Sequence, residues 1–170
     1  MGKSRWPGKI AVMAAGISGM LLGRLWEKIY CNLMRMEDGR VKRLNSYYDT
    51  LSGWLNFKQK GKRMDEYLLK CGYKKIAIYA LGEIGIRLFY ELKGTKVSVE
   101  YAIDQNIDAH VENLEIVGRE EKLKEVDAVI VSIGFAYEDI KKELESKLDC
   151  PILSLQNLVY EIALIEDEVY

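Results

Sequence analysis

The sequence predicts an α/β fold, a small parallel sheet preceded by an all-helical N-terminal arm, and three observations carry that prediction. An apolar run from Ile76 to Tyr79 passes directly into a glycine turn that opens a helix. Further apolar runs at Val97 to Ile103, Leu114 to Val117, Ala128 to Ile133 and Ile152 to Ser154 alternate with mostly helical segments, the pattern of parallel strands joined by right-handed crossovers. Before residue 73, apolar residues recur at helical steps of three and four. With 170 residues, the chain has room for one core of about 100–150 residues and an extension. The expected segments are 1–36, an apolar and basic N-terminal helix; 37–72, a helical connector docking on the sheet; and 73–170, the α/β domain.

In the first segment no charged residue occurs from Ile10 to Leu22, while Lys3, Arg5 and Lys9 precede the run and Arg24 and Lys28 follow it. Ala11, Ala15, Gly19 and Gly23 fall on one helical ridge, which lets a second backbone approach. The run is shorter than the ~20 apolar residues a membrane span needs. Past Arg24, the pairs Leu25-Trp26 and Ile29-Tyr30 lengthen the apolar face and add interfacial aromatics. Three readings stand: a membrane-inserted or membrane-surface helix, a soluble self-associating helix, and a signal peptide.

The connector places Val41, Leu44, Tyr47, Tyr48, Leu51, Trp54, Leu55 and Phe57 on a wide apolar face, which is expected to pack on the sheet or on another copy. Gly61 breaks this helix. A shorter one begins at Asp65 and ends at Cys71-Gly72, with Gly72 suited to the left-handed position after a helix.

The α/β domain opens with the strand Ile76 to Tyr79 and the turn Ala80-Leu81-Gly82-Glu83-Ile84-Gly85, whose helix continues through Leu92 and stops at Gly94. Asp104 closes the second strand. Leu114 to Val117 is a short third strand, and Arg119 to Glu125 is expected to form a polar helical turn. Ala128 to Ile133 reads as a central strand buried on both faces. A charged amphipathic helix follows over Glu138 to Leu148, then a strand after Pro151 and a terminal helix from Leu155.

Charge is split unevenly. Residues 1–75 carry 16 Lys or Arg against 6 Asp or Glu, and residues 76–170 carry 9 against 20, or +10 and −11. An acidic domain cannot hold a nucleic-acid backbone by counterion release, so nucleic acid is not expected as a partner. Cys31, Cys71 and Cys150 are widely spaced and odd in number, reading as reduced thiols rather than a disulfide framework or metal site. His110 is the only histidine, which leaves no basis for a His triad or multi-His metal site, and no metal is expected.

The βα turn is close to a dinucleotide fingerprint. Gly82 and Gly85 match its second and third glycines, and Ala80 stands in place of the first. Asp104 occupies the position that holds a ribose hydroxyl in such folds. The loops after the first, second and fourth strands should meet at the topological switch point. The candidate ligand-binding residues are therefore Ala80, Leu81, Gly82, Glu83, Ile84 and Gly85; Asp104, Gln105 and Asn106; and Ser132, Ile133 and Gly134. No catalytic residue is assigned. Tyr137 and Lys141 form a Tyr-x-x-x-Lys pair, but sit earlier in the chain than a dehydrogenase places them. Cys150 has no base nearby in sequence.

The stretches IAIYALGEIG, EYAIDQN, VDAVIVS and LDCPILSLQNLVYEI together resemble the small Rossmann-like domains encoded in bacterial capsule and surface-polysaccharide clusters. Those are similar in turn to nucleotide- or CoA-binding-like modules beside nucleotide-sugar dehydratases and sugar acetyltransferases. The resemblance spans about residues 40–163. It implies a nucleotide or nucleotide-sugar site at most. The βα turn adds NAD(P) as another candidate cofactor, and the expected role is accessory. The basic, apolar N-terminal segment suggests membrane association through residues 10–30 on the cytoplasmic face, and a homo-oligomer or a complex with a polysaccharide-synthesis enzyme is the expected assembly. The alternative from a different class is a scaffold whose crevice is empty; an NAD(P)-dependent oxidoreductase is a third.

Overall fold

The computed structural model describes Lys28, residues 39–106 and residues 111–165. The expected helix over 10–30, Cys31 and His110 lie outside the described residues. The chain divides into two compact units, Met1–Lys42 and Arg43–Tyr170. Among the described residues no helix is long and apolar enough to cross a membrane.

Helix α1 is helical over 39–59. Its apolar face splits in two. Trp54 and Phe57 are buried in the core, with Tyr47 packed against its edge, while Leu44, Tyr48, Leu51 and Leu55 face solvent. Gly53 sits under Val159, where a side chain would strike the valine. The helix ends before Gly61, which takes φ 75°, and α2 follows over Met64–Lys70. Gly72 at φ 89° then reverses the chain into the sheet, as a left-handed glycine after a helix does.

The sheet has five parallel strands: β1 (Lys75–Tyr79), β2 (Ser98–Ile103), β3 (Ile116–Val117), β4 (Ala128–Val131) and β5 (Ile152–Ser154), in the order β3-β2-β1-β4-β5. This is a Rossmann-like arrangement. Helices α3 (Glu83–Leu92), α4 (Tyr137–Glu145) and α5 (Leu155–Leu164) complete it.

Strand alternation sorts the core into two layers. Ile76, Ile78, Ala102, Ala128 and Ile130 point to the layer containing Trp54 and Phe57 of α1, Leu68 of α2, Leu88 of α3 and Leu158 of α5. Ala77, Tyr79, Tyr101, Ile103, Val129 and Val131 point to the other, closed by Ile140 and Leu144 of α4. All four β4 residues are fully buried, as an uninterrupted apolar run between β1 and β5 requires.

One expected helical turn does not form. Arg119 to Glu125 forms no helix and continues as irregular chain after a turn at Gly118. Leu123 is the only apolar residue in that stretch, so a helix would have no stripe to bury. Specific bonds hold the segment instead: the Tyr101 hydroxyl donates to Lys124 O at 2.7 Å, and Gly118 N donates to Glu121 Oε1 at 2.8 Å. Asp127 Oδ2 accepts from Lys74 N and Lys75 N, at 2.7 and 2.8 Å, tying the end of this segment to the start of β1. The third strand is also shorter than the sequence suggests, two residues rather than four. The fourth ends at Val131 rather than Ile133, because Ser132 turns to serve the first βα turn.

Candidate functional site

The βα turn is built by its neighbours. Ala80 adopts φ 71°, the left-handed conformation that a first glycine would supply, at a cost to an L-residue of about 1–2 kcal/mol. Hydrogen bonds on three sides hold it there. Ala80 N donates to Ile103 O at 2.8 Å, the Ser132 hydroxyl donates to Ala80 O at 2.8 Å, and Leu81 N donates to Asp104 Oδ2 at 2.6 Å. The tight turn is thus made without its first glycine.

Gly82 and Gly85 do different work. Gly85 lies against the turn, where a Cβ would overlap the Ala80 carbonyl oxygen and crowd Ser132 Oγ. Helix α3 can approach β1 this closely only through a glycine. Gly82 is the N-cap of α3, without a side-chain cap bond, and a Cβ there would meet open space. The first-turn N–H groups of a helix have no intrahelical partner; here they lie beside a cavity.

That cavity has a volume of about 450 Å³ and lies beyond the carboxyl ends of β1, β2 and β4. Of the residues expected from sequence, Ala80, Gly82, Ile84, Asp104, Gln105, Ser132 and Ile133 line it. Leu81 is buried in the core, and Gly85 packs beneath the turn. Asn106 is exposed and donates its N–H to Asp104 Oδ1 at 2.9 Å. Gly134 contributes close packing, since a Cβ there would collide with Ser46 Oγ of α1 and Gln156 Oε1 of α5. Glu83 points away, 71% exposed and paired with Arg87 at 2.6 Å, so its charge does not guard the start of α3.

Arg119, Phe135 and Tyr47 also line the cavity, as do two carboxylates of α4, Asp139 and Glu143. The Arg119 guanidinium lies 5.3 Å from the Tyr79 ring centroid and pairs with Glu143 at 3.1 Å, while its Nε is buried without a hydrogen-bond partner. Glu143 also meets Lys147 at 3.2 Å, and Lys147 Nζ donates to Arg119 O at 2.9 Å, so the arginine is held at both ends. Burial raises the Tyr79 hydroxyl pKa, against the pull of Arg119. Phe135 is half exposed and carries Arg43 over its ring at 5.0 Å. Arg119 escaped the sequence reading because it lies in a segment taken for a polar helical turn. Phe135 and Tyr47 could have been found only from their neighbours in space.

The polar atoms of Asp104 and Ser132 are largely committed to the turn. Each Asp104 oxygen accepts one backbone N–H, which leaves each a further lone pair. Tyr137 does not form a dehydrogenase-type pair with Lys141. Its hydroxyl donates to Ile152 O at 2.8 Å and burial raises its pKa against the pull of Lys141, whose Nζ lies over the ring, 5.9 Å from its centroid, and 3.8 Å from Glu145. Burial likewise raises the Cys150 thiol, opposite to what a nucleophile needs. Among the described residues no cluster of His, Cys, Asp or Glu could hold a metal ion.

Comparison with family models, curated proteins and solved structures gives no match to this chain.

Proposed function

We propose that the chain is an accessory protein of surface-polysaccharide synthesis that binds a nucleotide or nucleotide-sugar at the carboxyl edge of the sheet. The polysaccharide context rests on the sequence resemblance. The observation that carries the binding reading is the unobstructed start of α3 at Gly82, opening on a cavity of about 450 Å³ that also holds the Arg119 guanidinium. Sites for small ligands commonly have about 300–1,000 Å³. Backbone N–H groups at a helix start suit a phosphate, and the Arg119 guanidinium suits one that takes the place of Glu143 in its pairing. The free lone pairs of Asp104 suit a ribose hydroxyl, and Phe135 and Tyr47 offer flat faces to a base. In this reading the protein works on the cytoplasmic face of the membrane, with residues 10–30 as its attachment.

Thermal unfolding with UDP-sugars, NAD, NADP and acetyl-CoA at millimolar concentration tests the reading, because a ligand at a hundredfold its Kd stabilises the folded state by about 2.7 kcal/mol. A raised midpoint with a UDP-sugar is expected; a midpoint indifferent to all four would sink the proposal. The rival reading, a scaffold with an empty crevice, draws on the turn-holding bonds of Asp104 and Ser132, and total indifference would favour it.

A further inference from the structure

Carboxylates outnumber bases in the crevice wall. Among the described residues that line it, Asp104, Asp139 and Glu143 are acidic and Arg119 alone is basic. The three acids are not equally free. Asp104 accepts the backbone N–H groups of Leu81 and Asn106. Glu143 pairs with Arg119 at 3.1 Å and with Lys147 at 3.2 Å, so it keeps a cation even when a phosphate draws Arg119 away. Asp139, in the first turn of α4, has no hydrogen-bond or ion-pair partner among the described residues. Its neighbour Glu138 stands in the same turn but does not line the crevice.

We propose that Asp139 selects among nucleotide-sugars, admitting a neutral, hydroxyl-bearing ring and refusing a uronic acid. The inference rests on the nucleotide-sugar reading above and narrows the class of ligand that the same site takes. The phosphates claim the positive features of the crevice, the start of α3 and the Arg119 guanidinium. Any part of the ligand that lies beyond them meets carboxylate. An ionised carboxyl is acceptor-only, and sugar hydroxyls can donate to it. A second carboxylate on the ligand has no proton to give and is repelled.

The size of the crevice makes this hard to evade. A cavity of about 450 Å³ is on the order of 10 Å across, about one Debye length at physiological salt. No place within it puts a further anion out of reach of Asp139. Because Asp139 is exposed, water screens part of its field, and the expected discrimination is about tenfold, well short of that between desolvated like charges.

UDP-glucose and UDP-glucuronate differ only at C6, a hydroxymethyl group against a carboxylate, as do UDP-galactose and UDP-galacturonate. Isothermal titration of the full chain should give each uronate a Kd about tenfold above that of its neutral counterpart. Asp139→Asn keeps an acceptor oxygen and removes the charge, at an exposed residue without partners where substitution leaves the fold intact. This variant should bring each pair within about threefold. Glu138→Gln removes a charge from the same turn outside the crevice and should leave the gap as in wild type. Uronates bound as tightly as the neutral sugars overturn the proposal, as does a gap that survives Asp139→Asn or closes equally in Glu138→Gln; in each of these cases the nucleotide-sugar reading stands. A chain that binds none of these nucleotide-sugars overturns that reading, and the proposal with it.

Discussion

Gly85 lies so close to Ala80 that a single methyl group on Gly85 would occupy the space of the Ala80 carbonyl oxygen. The obstacle is backbone, held on its other side by the Ser132 hydroxyl, so it cannot swing aside as a side chain would. Gly85→Ala should therefore destabilise the domain by about 3 kcal/mol, at the upper end of ordinary overpacking. Urea unfolding measures this, and a loss below 1 kcal/mol would show that α3 can slide off β1.

Ala80 itself gives a two-sided test. Glycine would relieve the left-handed strain but add freedom to the unfolded chain, and these effects are each about 1 kcal/mol and opposed. Ala80→Gly should fall within about 0.5 kcal/mol of wild type. Ala80→Val, β-branched at a positive φ, should lose about 2 kcal/mol. Equal stabilities for the two variants would contradict the conformation described for this residue.

Ser132→Ala removes the hydroxyl that donates to Ala80 O in a buried setting. An unsatisfied buried acceptor costs about 1–3 kcal/mol, so a loss of that size is expected in urea unfolding. Loss of ligand binding with no loss of stability would instead assign Ser132 to the ligand.

Asp127 predicts a pH dependence. Backbone N–H bonds from Lys75 and Lys74 hold its carboxyl below its ordinary range. A carboxylate with a depressed folded-state pKa contributes stability that is complete above its unfolded pKa and lost as pH falls through the folded one. The difference in urea midpoint between wild type and Asp127→Ala should be full at pH 6 and narrow below about pH 4. A difference constant from pH 6 to pH 2 would remove the carboxylate from this role.

Arg119→Met keeps an unbranched apolar stem but removes the guanidinium that lies over the Tyr79 ring, and its charge with it. If a nucleotide-sugar raises the thermal midpoint of the wild type, this variant should lose most of that rise, since a charge-assisted bond to phosphate is worth about 1.5–3 kcal/mol. An undiminished shift would place the phosphate elsewhere.

The glycine turn and the alternation of apolar runs made the parallel sheet legible, because buried strands and βα turns leave local marks in composition and spacing. Ile152 to Ser154 is the strand the sequence delimits, Pro151 marking its start. The crevice was legible only along its backbone rim, at Gly82, Asp104 and Ser132. Its other wall comes from Tyr47, Arg119 and Phe135, brought in from α1, an irregular crossover and the turn before α4. No local pattern marks such residues, since what unites them is sheet order rather than spacing. The apolar stripe of α1 shows the same limit: spacing revealed that the face was wide, but only packing against Val159 and its neighbours decided which half of it turned inward.

Asp104 is a splint whatever its part in binding, one oxygen fastened to Leu81 and the other to Asn106. A lineage that abandoned its ligand would still need this carboxylate to close the turn, so the fingerprint would outlive the activity it advertises. Drift among relatives would be informative elsewhere: exchanges at Phe135, which no turn depends on, would follow a change of guest, while Asp104 would stay fixed through it.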